Sequence, residues 1–595
     1  MGKHLHAVAL ILGTAFRADP RRAVIVVVRS LVSSFLFATM PFWLKVLANG
    51  AVAHSTRQAL LAAGAAAASV TVTVFLGWIG TNATQLLQER TNLSIDEQLA
   101  RLSLEVPGLE HFERPDYANQ IALLREQRGA LAGALDAITT TLQAVVLWTT
   151  TLALLVSIHP LLLLMPAFGL ATLWSEERAQ RIQQRTSEVT AERGRTLRYL
   201  FDLATDAQAG KELRVFGLSG EIVGRYEQLW REIDRERRRA GLQAVLLTAP
   251  GWLLFTIGYA GAIVVAVWLA VYGQTSVGAV LMTLTLAAEV HRYVGTATYL
   301  FSWLLGALAA VGRLLWLMDY AASARKVSGD PQPVPGRLDR GIRLEHVSFC
   351  YPGAGTEVLG DVNLDLPAGS TVALVGENGA GKTTLVKLLC GLYQPTSGRI
   401  TVDDVELHRF DVATWRAQTA AAFQDFARFE LLARETVGVG DLARIEDPAA
   451  VGIALRRAGA EELPAALANG LETQLGKDWE GGVELSGGQW QKLALGRALL
   501  REQPLLLILD EPTASLDAQT EHALFERYAE ATHRSAAASG AITILVSHRF
   551  STMRMADLIV VLDHGRVTEV GSHRELLARR GLYAELYELQ AGQYR

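Results

Sequence analysis

Long uncharged stretches alternate with charged ones in the first half of the chain. No lysine, arginine, aspartate or glutamate occurs from Gln58 to Gln88, from Ala137 to Ser175 or from Ala240 to Ala288. About 20 apolar residues in a helix cross the hydrocarbon core of a bilayer, so a longer run with a turn-like interruption predicts two helices. His159-Pro160 interrupts the second run and YGQTSVG, residues 272–278, interrupts the third.

This pattern predicts six membrane spans. The first span precedes the uncharged runs and is itself interrupted by Arg29 and Lys45. A buried helical bundle of a soluble protein is the alternative, but soluble chains rarely carry uncharged stretches of this length. The expected spans are 23–47, 58–80, 136–158, 161–175, 245–272 and 277–306, within a transmembrane domain of residues 1–327.

The charged segments between the spans indicate the orientation. Fourteen lysines and arginines lie between residues 176 and 239, whereas the loop after the first span has only Arg57 and the two hairpin turns have none. Because basic segments stay on the cytoplasmic side, both termini are expected in the cytoplasm of a multi-pass protein of the plasma (inner) membrane. The long segments between spans two and three and between spans four and five favour helices that extend into the cytosol, with a solvated coil as the alternative.

The pattern changes after residue 327. The proline-rich stretch SGDPQPVPGRLDRG, residues 328–341, predicts a semi-rigid linker. Beyond it, strand-like runs such as TVALVG and LLLILD alternate with helix-like ones, so residues 342–595 are expected to form an α/β domain with a largely parallel sheet. The net charge of −4 gives no indication of a nucleic-acid partner. Two cysteines, Cys350 and Cys390, predict buried thiols rather than a disulfide framework.

A glycine-rich loop, GENGAGKT, stands between a predicted strand and a predicted helix and fits G-x-x-x-x-G-K-[ST]. Glycines allow positive φ and close backbone approach, so successive N–H groups can converge on phosphate oxygens. Lys382 is expected to meet the β- and γ-phosphates of ATP, and the Thr383 hydroxyl to bind Mg²⁺. The expected ATP-binding residues of the loop are Gly376, Asn378, Gly379, Ala380, Gly381, Lys382, Thr383 and Thr384.

Two carboxylates end the strand LLLILDE. Asp510 is expected to hold Mg²⁺, and Glu511 to polarise the attacking water. A buried strand that simply reaches solvent at two acids is the alternative interpretation.

Further motifs follow in a fixed order along the chain. LSGGQ, residues 485–489, resembles the signature motif of ABC transporter ATPases, and FCYP, FQDFARF, LDEPTASLD and SHR resemble the same family's remaining motifs. The resemblance implies that Tyr351 stacks on adenine, that Gln424 binds ATP and Mg²⁺, and that His548 is the catalytic switch histidine. Six helices before one such ATPase resemble a half-transporter of the ABC exporter family over essentially the whole chain.

The resemblance also implies a dimer. In this family two ATPase domains enclose two ATP molecules, so Ser486, Gly487, Gly488, Gln489 and Asp517 are expected to contact the ATP of the second subunit. Because every catalytic position is intact, a second copy of this chain is favoured as partner over a related half-transporter. The expected function is ATP-driven export of an amphipathic small molecule, peptide or lipid by alternating access. Import, for example of a siderophore, and an ATP-gated channel or regulatory membrane protein remain open.

Three ionisable residues, Glu289, His291 and Arg292, interrupt the sixth span near the expected midplane of the bilayer. Charges at that depth are costly and usually face a cavity or a partner, so these residues are predicted to line the transport pathway. A local Glu289–Arg292 pair, three residues apart on one helix, is the alternative.

Overall fold

The computed structural model describes residues 13, 15–207, 209–324, 332–511, 539–547 and 550–593. The chain divides into two compact units. The first comprises residues 1–101 and 120–318, and the second comprises residues 102–119 and 319–595.

Long helices dominate the N-terminal half. Several exceed the ~20 residues that a membrane crossing needs, and α2 is about 70 Å long at ~1.5 Å per residue. The helices are α1 (Pro20–Val52), α2 (Thr56–Leu104), α3 (Glu110–Glu113), α4 (Pro115–Ala132), α5 (Ala134–Ile158), α6 (Leu164–Thr205), α7 (Ala209–Val215), α8 (Ser219–Val271) and α9 (Val277–Ala324).

Both interruptions noted in the sequence separate consecutive helices. Helix α5 ends at Ile158, His159 is extended with φ of −163°, and Pro160 begins a short 3₁₀ helix. The His159 ring accepts a hydrogen bond from the backbone N–H of Leu161 at 3.2 Å, which caps that turn. Residues 272–276 separate α8 from α9. Helix-breaking residues therefore fix where the apolar runs reverse.

The described part of the structure contains fewer helices that qualify as membrane spans than the six that the sequence pattern predicts. Among the described residues, four helices are long and apolar enough to cross a membrane, namely α1, α2, α5 and α8, and Val277–Val290 of α9 is a shorter apolar segment. Helix α6, over the predicted fourth span, is not among them because its sequence becomes charged from Glu176 onward. The six predicted spans therefore all lie on helices, but the structure does not confirm six as their exact number.

The apolar side chains of these helices point mostly outward. Within the most apolar windows of the four candidate spans, only 11% to 28% of the residues are buried. A soluble helical bundle would bury this apolar face instead. The exposure favours helices that are surrounded by lipid or by a partner.

The second unit contains two sheets. A six-stranded sheet has the order β10-β9-β3-β8-β7-β6, with parallel pairing except between β9 and β10, and a four-stranded antiparallel sheet has the order β2-β1-β4-β5. The strands are β1 (Gly341–Cys350), β2 (Glu357–Pro367), β3 (Thr371–Val375), β4 (Ser397–Val402), β5 (Val405–Glu406), β6 (Thr419–Ala422), β7 (Leu506–Asp510), β8 (Ile542–Val546), β9 (Leu558–Asp563) and β10 (Arg566–Gly571).

Helices cover the parallel sheet, and every residue of the central strands β7 and β8 is buried. This matches the near-continuous apolar sequences of both strands. The helices are α10 (Lys382–Leu389), α11 (Val412–Ala417), α12 (Ala433–Gly438), α13 (Pro448–Arg457), α14 (Leu463–Ala466), α15 (Gly487–Leu499), α16 (Phe550–Met555), α17 (His573–Arg579) and α18 (Leu582–Gln593).

The two cysteines are free thiols. Cys390 follows α10 in the core, where burial raises its pKa to about 12. Cys350 is only partly buried. The prediction of buried, unpaired thiols therefore holds for Cys390, whereas Cys350 is unpaired but only partly buried.

Two segments join the second unit through backbone contacts. In 102–119, the Leu109 N–H donates to the Leu392 carbonyl at 3.0 Å, and the Arg416 guanidinium donates to the Pro107 carbonyl. In the predicted linker, the N–H of Leu338 donates to the Ser539 carbonyl at 2.9 Å and its side chain is buried. The described part of the linker, from residue 332, is therefore packed within the second unit.

Candidate ATP site

The glycine-rich loop occupies the turn from β3 to α10. Gly376, Gly379 and Gly381 have φ of +154°, +85° and +99°. A Cβ at Gly376 would lie 2.1 Å from the Leu562 carbonyl oxygen, and one at Gly381 would lie 2.6 Å from a methyl carbon of Leu359. At Gly379 no atom would lie within 4 Å. All three glycines are required by their positive φ, and close neighbours exclude a side chain at the first and the last as well.

Lys382 begins helix α10 and is buried, with 7% of its surface exposed. Its ammonium donates to the carbonyl oxygens of Gly376 and Glu377, at 2.8 Å each. Burial lowers the pKa of Lys382, and the nearby carboxylates Glu511 and Asp510 oppose that shift. The loop therefore wraps around a buried amine whose charged form is best stabilised by an anion.

Asp510 ends strand β7 and lies against the loop. Its carboxylate accepts a hydrogen bond from the Thr383 hydroxyl at 3.2 Å. Burial raises the pKa of Asp510 to about 6, although the Thr383 hydrogen bond acts in the opposite direction. A hydroxyl and a carboxylate are hard oxygen donors of the kind that Mg²⁺ prefers. The donor set fits the ion, and a divalent cation would offset the cost of burying this charge.

Glu511 follows directly and is partly buried. Its carboxylate accepts a hydrogen bond from the Gln424 side-chain amide at 2.7 Å. Its backbone carbonyl accepts one from the Gln491 side chain at 3.1 Å. The sequence does not reveal this contact of Gln491, because a polar helix residue two positions after LSGGQ carries no sign of which backbone atom it contacts.

These groups share one cavity of about 360 Å³. Its lining includes the Lys382 amine, backbone of the glycine-rich loop, the carboxylates of Asp510 and Glu511, and the Gln424 amide. Such an arrangement can hold a polyphosphate and a metal ion while a carboxylate orients a water molecule. The lining residues are Val358, Asn378, Gly379, Gly381, Lys382, Thr383, Thr384, Gln424, Asp510, Glu511 and Val546.

Tyr351 lies beside the loop but does not line this cavity. Its hydroxyl is 3.0 Å from that of Thr384, and its ring packs edge-on against Phe349 and Tyr393. The aromatic residue predicted to stack on adenine is therefore next to the phosphate loop. Ala380, another predicted contact, is buried.

The signature residues Ser486 to Gln489 form the start of α15. Ser486 is the N-cap: its hydroxyl accepts from the Gln489 N–H at 3.3 Å, and the Gln489 side chain accepts from the Ser486 N–H at 2.8 Å. None of these four residues, all of them described, lines the cavity of its own chain.

The remaining predicted site residues are only partly described. Asp517 and His548 lie outside the described residues. In α9, Glu289 is half-buried, and the side chains of His291 and Arg292 lie outside the description.

Comparison with known proteins identifies the family. The family model described as ABC transporter matches residues 359–514. The ATP-dependent lipid A-core flippases of Chromohalobacter salexigens and Nitrosococcus oceani are 31% and 32% identical over 426 residues, which cover 71% of this chain and 70% and 68% of the relatives. The chain belongs to the ABC transporter family. A further relative of the transporter, the subtilin transport ATP-binding protein of Bacillus subtilis, is 29% identical over 66% of the chain and 62% of the relative.

The fold of the transporter also has a close structural counterpart. A bacterial Atm1-family ABC exporter, solved with ATP bound, superposes with a TM-score of 0.72 over 96% of this chain and 98% of the other, at 24% identity. The predicted fold class, a helical membrane domain followed by an α/β ATPase domain, is confirmed. The chain is a half-transporter of the exporter type, and it hydrolyses ATP to drive transport.

Proposed function

We propose that the transporter works as a dimer of two copies of this chain and exports an amphipathic lipid from the cytoplasmic side of the inner membrane. The cargo class follows from the relatives above 30% identity, which are named lipid A-core flippases. A related subtilin transporter keeps an amphipathic peptide as a second candidate cargo. Both termini and the ATPase domain are cytoplasmic in this proposal, in accord with the basic segments between the spans.

The main observation in support of the dimer concerns two glycines, Gly487 and Gly488. Both lie in the first turn of α15 without positive φ, and a Cβ at either would meet no atom within 4 Å. In a helix each glycine costs about 1 kcal/mol relative to alanine, and no contact with the described residues of the same chain offsets this cost. Close approach of a group from outside the chain does explain them. A helix N-terminus with a capping serine is an anion site, so the ATP of a second copy is the group we propose.

Each residue of the cavity then has a defined part. Lys382 and the loop N–H groups stabilise the phosphate charge, and Glu511 accepts the proton of the attacking water. Thr383, Asp510 and the Gln424 amide oxygen would hold Mg²⁺, which supplies charge neutralisation on the phosphates when bound. Tyr351 would stack on adenine. Asp517 and His548 keep the roles that the family resemblance implies, the first in the partner's site and the second beside the γ-phosphate.

Long helices offer a route from ATP to the membrane. Helix α8 runs without a break from its charged N-terminal part to its apolar C-terminal part, Ser219–Val271. In the same unit, Arg193 of α6 contacts Glu236 of α8 at 2.9 Å. A displacement of the cytoplasmic ends would therefore move the membrane parts as rigid rods, which is how closure over ATP would alternate access to the cargo.

Glu289, His291 and Arg292 remain our candidates for the transport pathway. Replacing Glu289 and, separately, Arg292 with alanine is expected to reduce cargo-stimulated hydrolysis while basal hydrolysis persists. Unchanged stimulation in both variants would exclude these two residues from the pathway. Direction is tested with inside-out vesicles, in which ATP-dependent accumulation of a fluorescent lipid supports export.

The test of the proposal is ATP hydrolysis by this chain alone in lipid nanodiscs, compared with Glu511→Gln. We expect hydrolysis that is cooperative in ATP and is reduced at least about 100-fold in the variant, with ATP binding retained. Glu588→Gln, at an exposed carboxylate of α18, is the matched control and should hydrolyse like wild type. A folded wild-type sample without hydrolysis would contradict the homodimer, and equal rates in both variants would contradict the role of Glu511.

A further inference from the structure

The backbone of Glu511 has an unusual conformation. Its φ is +47°, in the left-handed region that side-chain-bearing residues avoid. Such a conformation is strained for a residue with a side chain and persists only where the surroundings enforce it. Two backbone hydrogen bonds to described residues help to hold it here. The Glu511 N–H donates to the Val546 carbonyl at 2.9 Å, and the Glu511 carbonyl accepts from the Gln491 side chain at 3.1 Å.

The conformation decides where the carboxylate points. Rotation about φ swings the Cβ relative to the preceding strand, so a return to negative φ would turn the side chain away from its present position. In that position the carboxylate meets the Gln424 amide at 2.7 Å and lines the cavity that also contains Lys382 and Asp510. The bond from Gln491 therefore holds the peptide that aims the carboxylate.

Gln491 is itself well anchored. It lies on α15 between two buried neighbours, Trp490 and Leu493, each with 1% of its surface exposed. The capping box formed by Ser486 and Gln489 fixes the start of the same helix. Gln491 does not line the cavity, and its hydrogen bond to the Glu511 carbonyl connects it to the site.

We propose that Gln491 is a positioning residue for ATP hydrolysis, which holds the Glu511 backbone in the left-handed conformation that directs its carboxylate into the site. The proposal rests on the proposed function, since Glu511 must be the group that orients the attacking water. It assigns a role in the rate of hydrolysis and none in the binding of ATP.

The experiment uses the full-length chain in nanodiscs with two substitutions. Gln491→Met keeps the length without any donor, and Gln491→Glu keeps the shape but replaces the N–H₂ group with an acceptor. Lys492→Met, at the next position of α15, is the matched control. For each protein we would measure kcat, the ATP concentration at half-maximal rate and the Kd of a fluorescent ATP analogue.

We expect kcat to fall at least about tenfold in both Gln491 variants, because small misplacements of a catalytic group are costly, while the Kd changes less than about twofold. Lys492→Met should match wild type. Unchanged kcat in both variants would overturn the proposal. So would joint loss of nucleotide binding and hydrolysis in both, since Gln491 would then support the fold and not the carboxylate. Failure of the proposed function would be recognised separately, because the Glu511→Gln variant would then be as active as wild type. Glu511 would have no catalytic role, and Gln491 would have no catalytic carboxylate to position.

Discussion

The two halves of the transporter place different demands on their residues. In the ATPase half, strands β7 and β8 are buried at every position and deliver Asp510 and Val546 to one cavity. In the membrane half, no more than 28% of the residues in any of the apolar windows are buried. A position in the ATPase half is fixed by several neighbours, whereas most positions in the membrane half need only be apolar.

The difference has a physical origin. A membrane helix satisfies its backbone hydrogen bonds internally, so many apolar sequences serve equally well. A phosphate site requires individual atoms at individual places, such as the Lys382 ammonium 2.8 Å from two carbonyl oxygens. The type of residue at a single position is therefore constrained much more strictly in the ATPase half than in the membrane half. In either half, residue identity should be strictly constrained where the backbone closely approaches another surface. Glycines mark such places, because they have no side chain.

The largest effect is expected at Gly488, where a Cβ would meet no described atom of its own chain within 4 Å. Gly488→Leu should leave the thermal unfolding midpoint unchanged or raise it, because no atom lies near the new Cβ and leucine favours helix. Hydrolysis should fall at least about 100-fold, close to 2.7 kcal/mol, because the side chain would block the partner's ATP. Steady-state hydrolysis and thermal unfolding in nanodiscs measure the two effects.

A second helical glycine provides the control for this prediction. A Cβ at Gly452 of α13 would meet only the end of the Arg456 side chain, at 3.8 Å. Gly452→Leu should therefore be equally well folded and hydrolyse ATP like wild type. If Gly488→Leu retained full activity, the close approach of a second copy at this position would be refuted.

Gly278 tests whether the membrane half also contains positions of this kind. A Cβ there would lie 2.2 Å from the Lys45 carbonyl oxygen, and the Gly278 N–H donates to the Asn49 side chain at 3.0 Å. Gly278→Ala should destabilise the protein by about 1–3 kcal/mol, because α1 and α9 would have to separate. The thermal unfolding midpoint in nanodiscs measures this loss.

Gly261 of α8 is the matched control, since a Cβ there meets no atom within 4 Å. Gly261→Ala should preserve stability or add up to ~1 kcal/mol. Equal midpoints for the two variants would mean that α1 and α9 do not pack as closely as this contact requires, and the contrast between the two halves would then extend to every glycine of the membrane helices.

The same contrast explains how much could be predicted from the sequence. The hairpin turn at His159-Pro160 and the loop from Gly376 to Thr383 were predictable, because helix breakers and positive φ require particular residue types. The packing of 102–119 with the ATPase unit was not, since Leu109 and Leu392 meet through backbone atoms that any residue carries. The Gln491 contact was hidden for the same reason. The fourth span, residues 161–175, stays a prediction, because charge enters α6 at Glu176 and leaves only a short apolar stretch in that helix.

The smallest effect is expected for the ion pair between α6 and α8. Arg193 and Glu236 are 2.9 Å apart, with 30% and 35% of their side chains exposed. Exposed pairs are weak, because water screens them and ordering both side chains costs entropy. A double-mutant cycle with Arg193→Ala and Glu236→Ala should give a coupling energy of about 0.2–1 kcal/mol that shrinks in high salt. A coupling above about 2 kcal/mol would show that this pair is as position-specific as the ATP site, and the two halves would then differ less than their exposure suggests.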